Sequence, residues 1–135
     1  MITHSEIFNK SERLCSRKII TGLFDDGNTF YMPFYKVIWS ENDHQSPFPA
    51  QALFIVPKKA FRLAVKRNLL RRRMREAYRK NKYLLYEFLN SENIRIAFIV
   101  IFRNNSIQDY TSIERSIQEL ITRIKTEIGE KNKKC

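Results

Sequence analysis

Apolar residues fall along the chain in blocks whose spacing switches between helical and extended. Ile19, Ile20, Leu23 and Phe24 recur on one helical face, Ser16 is placed to cap that helix and Gly27 to stop it, which predicts a short helix ending at Asp26. Residues 29–40 are rich in aromatic and β-branched side chains and predict a strand, with Pro33 near its start marking an edge or a bulge. Alternation would set Tyr31, Tyr35, Val37 and Trp39 on one face and Phe34, Lys36, Ile38 and Ser40 on the other. A polar, turn-rich connector over 41–49 precedes a second strand at 51–56, expected to pair antiparallel with the first. Residues 94–102 are apolar at every alternating position, as in a strand covered on both faces, and are the expected centre of the sheet.

Two long helices complete the pattern. With about 100° per residue, Leu63, Leu70, Met74, Ala77 and Tyr78 form a single apolar stripe about 100° wide, enough to dock on a sheet. Residues 83–89, dense in Tyr, Leu and Phe, either continue this helix or form a second turn packed on it. Near the end of the chain, Thr111 and Glu114 have the spacing of a capping box, with Tyr110 as its staple. Ile113, Ile117, Leu120, Ile121, Ile124 and Ile128 supply the buried stripe, and Gly129 is the expected stop before a mobile polar tail. The chain predicts one domain over residues 1–135, with a compact core over about 8–128, mobile ends and no internal repeat.

Charge changes this picture at one place. Residues 57–82 hold twelve Lys or Arg and one acid, Glu76, and so carry a formal charge of +11, the charge of the whole 135-residue chain. On the helical wheel Arg67, Arg71, Arg75, Arg79 and Arg72 stand as one wall beside the apolar stripe, with Lys66, Arg73 and Lys80 on its other flank. A solvated helix face ordinarily interleaves acids at i, i+4, and only Glu76 does so here. Like charges gathered without acids imply a polyanionic partner, nucleic acid first among them. The short first helix also has a basic approach, Lys10, Arg13, Arg17 and Lys18.

Other classes find little support. The longest apolar run has the length of a strand, the amino-terminal residues lack a secretory pattern, and a membrane-surface role fails because the apolar stripe of the basic helix is committed to the core. Cys15 and Cys135 with His4 and His44 make no metal-binding spacing, and free thiols in a reducing cytoplasm are expected. A protein nuclease would need clustered carboxylates or histidines, and Asp25, Asp26 and Glu76 form no such group. Two readings stay open elsewhere: the apolar face of the first helix is either core or site, and Lys36 either contacts phosphate beside stacked bases or snorkels from a covered sheet.

The basic stretch resembles a known motif. Lys58-Lys59, a short link, Ala64-Val65 and then Lys66-Arg67-Asn68-Leu69-Leu70-Arg71-Arg72-Arg73-Met74-Arg75 are similar to the hallmark segment of the bacterial ribonuclease P protein subunit, and residues 8–14, FNKSERL, are similar to that family's opening segment. Two departures stand out. Leu69 occupies the place of the last arginine in the family's Arg-Asn-Arg, and the link after Lys59 lacks the usual glycine and is one residue longer.

The resemblance implies an α+β fold in the order α-β-β-α-β-α, with a small mixed sheet, room for one further short strand, and a left-handed crossover around the basic helix. It implies binding of the catalytic RNA through Lys58, Lys59, Lys66, Arg67, Asn68, Arg71, Arg72, Arg73 and Arg75. A cleft of Ile20, Phe24, Phe34, Lys36 and Ile38 would take the single-stranded 5′ leader of precursor tRNA. Catalysis would belong to the RNA and its Mg²⁺, with no catalytic or metal-binding residue on the protein, one protein per RNA, and a cytoplasmic location. The alternative is a ribosome-associated or other structural RNA-binding module without a catalytic partner.

Overall fold

A computed structural model describes residues 8–42 and 46–133. His4, His44, Cys135 and the extreme ends of the chain, for which mobility is expected, lie outside those residues. A single turn of 3₁₀ helix at Lys10–Glu12 is followed by α1 (Arg17–Asp26), β1 (Asn28–Tyr31), β2 (Tyr35–Glu41), β3 (Ala50–Ile55), α2 (Ala64–Ser91), β4 (Ile96–Phe102) and α3 (Tyr110–Lys133). The architecture is α+β, a four-stranded mixed sheet with three α-helices.

The strand order is β1-β2-β4-β3. β4 lies between β2, to which it is antiparallel, and β3, to which it is parallel, so the expected central strand is central. The expected antiparallel pairing of 29–40 with 51–56 is not found. The connector from β2 to β3 leaves a one-strand gap that β4 fills, because β4 is the segment with apolar residues for both faces.

Residues 29–40 are also not one strand. Met32 and Tyr35 exchange backbone hydrogen bonds across Pro33-Phe34, so the chain reverses there and β1 returns along β2. Proline has no N–H for a ladder and a fixed φ that suits a turn, which is why the break falls at Pro33. The reversal moves Tyr31 to the face of its cross-strand partner Lys36, opposite to the expectation.

One face of the sheet carries Tyr35, Val37, Trp39, Ala52, Phe54, Phe98, Val100 and Phe102 into a core closed by α2 and α3. The other carries Ile38, Ala97 and Ile99 into a smaller cluster with Leu14 and Leu23 under α1. Ser16 accepts a hydrogen bond from the Ile19 N–H at 3.3 Å and caps α1 as its sequence suggests. Gly27 does end α1, but its φ is −67°. The need for glycine is proximity: a Cβ there would lie 2.5 Å from Ile38 Cγ2 and 2.5 Å from the Leu23 carbonyl oxygen.

Three helix limits differ from expectation. Leu63 precedes α2 and is exposed, so the buried stripe starts at Leu70. α3 starts at Tyr110 and its cap is Asp109, whose carboxylate accepts the Ser112 N–H at 2.8 Å, while the carboxylate of Glu114 accepts from the Asn81 amide. Gly129 does not stop α3, which runs to Lys133. No helix among the described residues is long and apolar enough to cross a membrane.

Candidate nucleic-acid interface

α2 exists because its inner stripe, Leu70, Met74, Ala77, Tyr78, Leu85 and Leu89, is fully buried against the sheet and α3. That fixes the rotation of the helix and turns the cations outward. Residues 83–89 belong to the same helix. Lys58 and Lys59 are exposed in the link from β3, and Lys66, Asn68 and Arg72 are exposed on α2.

The other arginines of α2 are partly buried, and most are attached in different ways. Arg67 donates to the carbonyl oxygens of Phe61 (2.8 Å) and Arg62 (2.9 Å), tying down the turn that feeds the helix. Arg71 donates to the Asn68 amide oxygen at 3.0 Å, and Arg73 donates to the Gln108 carbonyl at 2.5 Å. Arg79 takes both oxygens of Glu76, the one acid of the basic stretch, and holds its carboxyl below the usual carboxylate range. Among the described residues no acid pairs with Arg72 or Arg75. Burial, then the charges of Arg71 and Arg13, push the Arg75 guanidinium below its ordinary value.

Lys82 is the exception to the surface reading of the basic stretch. Only 2% of its side chain is exposed, and its ammonium donates at 2.5 Å to the buried carboxylate of Glu12. The same Oε2 accepts the Tyr86 hydroxyl at 2.5 Å. One of the twelve cations therefore serves the interior.

The second surface is the side of the sheet that carries α1. Ile20 packs there against a cluster that includes the buried Ile38, Lys36 shares that face of β2 with Ile38, and Phe24, in the last turn of α1, is 52% exposed. Phe34, expected here, is elsewhere: the turn at Pro33 carries its ring to the other side, 6.4 Å from Phe102 and in a 240 Å³ recess with Ser112, Arg115 and Glu119 of α3. Tyr31 takes the place left by Phe34. It is 56% exposed, with the Lys36 ammonium 5.9 Å and the Arg103 guanidinium 4.8 Å from its ring centroid.

Tyr31, Lys36 and Arg103 share a 660 Å³ cavity with Lys59 and Ala60 of the link into α2. The two sets of residues singled out in the sequence, the basic stretch and the sheet groove, thus meet at one end of the molecule. Sequence reasoning missed Tyr31 because it carried alternation through Pro33. It missed Arg103 because a lone arginine after a strand has no pattern. An aromatic face flanked by cations suits unstacked nucleotides, and a row of guanidinium groups suits a phosphate backbone.

Comparison with known proteins follows the same lines. A sequence profile of the Ribonuclease P family matches residues 8–125. The ribonuclease P protein component of Porphyromonas gingivalis is 37% identical over 118 residues, which span 86% of this chain and 85% of that protein. Among solved structures, the Staphylococcus aureus RNase P protein superposes with a TM-score of 0.66 at 21% identity, over 85% of this chain and 95% of that one. The RNase P protein from Thermotoga maritima gives 0.66 at 22% identity, over 83% and 96%. At such identities the structural likeness speaks for the fold.

Proposed function

The chain belongs to the ribonuclease P protein family, and we propose that its two exposed surfaces serve two different RNAs. Membership makes it the protein component of a ribonuclease P holoenzyme, with an RNA partner and a place in tRNA processing. On the proposed reading, the outward face of α2 with Lys58 and Lys59 binds the catalytic RNA. The groove of Ile20, Phe24, Lys36 and Ile38, extended by Tyr31, takes the single-stranded 5′ leader of precursor tRNA.

The observation that carries this is the division within α2: one face is locked into the core, and Glu76, the single acid of residues 57–82, is taken by Arg79. Such a surface gains affinity by neutralising phosphates and releasing counterions. Single-stranded RNA, by contrast, offers base faces that stack on exposed aromatic rings. Leu69, at the rim of the arginine surface, contributes no fork, and the neighbouring Arg72 and Arg73 take over its phosphate contact in this proposal.

Among the described residues no group of three or more His, Cys, Asp or Glu is placed to hold a metal ion. The Mg²⁺ of the reaction is proposed to be held by the RNA, in a cytoplasmic particle with one protein per RNA. The test is reconstitution with the cognate catalytic RNA and a precursor tRNA at low Mg²⁺, scoring release of the leader. Stimulation over RNA alone is expected. No stimulation would overturn the reading in favour of a structural RNA-binding module, and cleavage by protein alone would point to an independent nuclease.

A further inference from the structure

The cationic surface does not end with α2. Arg13, from the segment before α1, joins Leu69, Arg72, Arg75 and Arg79 around a 530 Å³ groove on the outer side of the helix. Its guanidinium sits 5.8 Å from the ring centroid of Phe8. Phe8 is in turn packed at 5.6 Å against Tyr78 and at 6.4 Å against Phe54. A core aromatic thus holds a surface guanidinium at the rim of the arginine wall.

The residues on either side of Arg13 are fastened independently. Glu12, fully buried, accepts from Lys82 and Tyr86 and also from the Asn9 N–H (2.9 Å) and the Asn9 side-chain amide (3.1 Å). Leu14 is buried, and its N–H donates to the Ala52 carbonyl at 2.9 Å. Arg13 is the exposed residue between two anchors, so its backbone position is set by the fold. Glu76, the one acid lining the groove, is taken by Arg79, so adding a further cation to this cluster costs stability in the free protein, and a polyanion lying across the cluster offsets that cost.

We infer that Arg13 is a phosphate-contacting residue of the interface with the RNA partner, and that Glu12, through Lys82, is the residue that positions it. The inference rests on the RNA-binding reading above. It makes the interface a composite of two segments that the sequence separates by more than forty residues.

Binding of the full-length protein to transcribed catalytic RNA, measured across a salt series, tests it. Arg13→Ala is expected to weaken binding about fivefold or more and to reduce the steepness of the salt dependence by about one counterion. Arg13→Lys should restore the slope. Glu12→Gln, assayed where circular dichroism shows it folded, should lose the same slope, and adding Arg13→Ala to it should remove nothing further. A purely structural role for Glu12 would leave the slope of the folded variant at the parental value, which overturns the positioning half of the inference. A parental slope in Arg13→Ala overturns the inference alone. Absence of salt-dependent binding by the parent overturns the RNA-binding reading together with it.

Discussion

On one face of β2, Tyr35, Val37 and Trp39 are buried under α2 and α3. One residue along, Lys36, Ile38 and Ser40 are on the side whose one α-helix is α1; Ile38 is buried there, and Lys36 and Ser40 stay partly open. Helix length explains the difference. At 1.5 Å per residue, the ten residues of α1 span about 15 Å against about 42 Å for α2, and a seven-residue strand alone runs about 23 Å, so one short helix leaves part of its face of the sheet uncovered. Alternate residues of one strand thereby build a core and a groove. A half-covered sheet costs burial, and what it provides is an apolar, aromatic floor beside exposed cations.

Substitution on each face sharpens that contrast most. Phe98→Ala, in the centre of the covered face, should cost about 3–5 kcal/mol in urea unfolding. Phe24→Ala, on the open side, should change stability by about 0.5 kcal/mol or less and weaken binding of a single-stranded leader by about 1–3 kcal/mol. Equal losses of stability would break the comparison.

Alkaline pH separates the faces by titration. Burial pushes the Tyr35 hydroxyl up to about 12, against a smaller opposing effect of its hydrogen bond with Ser116, and burial raises Tyr78 further. Both stay protonated in the folded state where the unfolded chain ionises, so stability is unaffected by them below about pH 10 and falls as pH rises beyond it. The slope is about 1.4 kcal/mol per pH unit for each tyrosine. Urea midpoints at pH 9 and 10.5 should therefore drop steeply, and Tyr35→Phe should show a shallower drop; an identical drop would place the titration elsewhere.

The smallest effect concerns the cover of the open face. Ser16→Ala removes the cap of α1 and should cost about 1 kcal/mol, with faster amide exchange in α1 than in β4. Uniformly faster exchange in both would mean that α1 is not a separate, looser lid on the groove.

What could be read in advance was what neighbouring residues decide. The inner stripe of α2 from Leu70 onward, the cap of α1 and the two-sided apolarity of β4 are local patterns that hold in the structure, while Leu63, counted in that stripe, is exposed ahead of the helix. What failed depended on partners distant in sequence. Lys82 looks like its exposed neighbours until Glu12, seventy residues earlier, lies beside it. Phe34 and Tyr31 exchange faces because one proline turns the chain, and β3 runs parallel because β4 enters between it and β2. Arg13 is one of several cations near the amino terminus until Phe8 and Glu12 place it beside α2.

The strand order has a consequence for the making of the protein. β2 has only β1 beside it, and β3 has no strand neighbour at all, until β4 leaves the ribosome, and β4 follows the whole of α2. A nascent chain therefore displays its polycationic helix before the sheet that orients it exists, and it carries the carboxylate of Glu12 without its ammonium partner for seventy residues of synthesis. During that interval the growing chain is a tethered polycation with no defined binding face, open to any nearby polyanion. The helix gains its fixed orientation only once β4, and after it α3, have emerged.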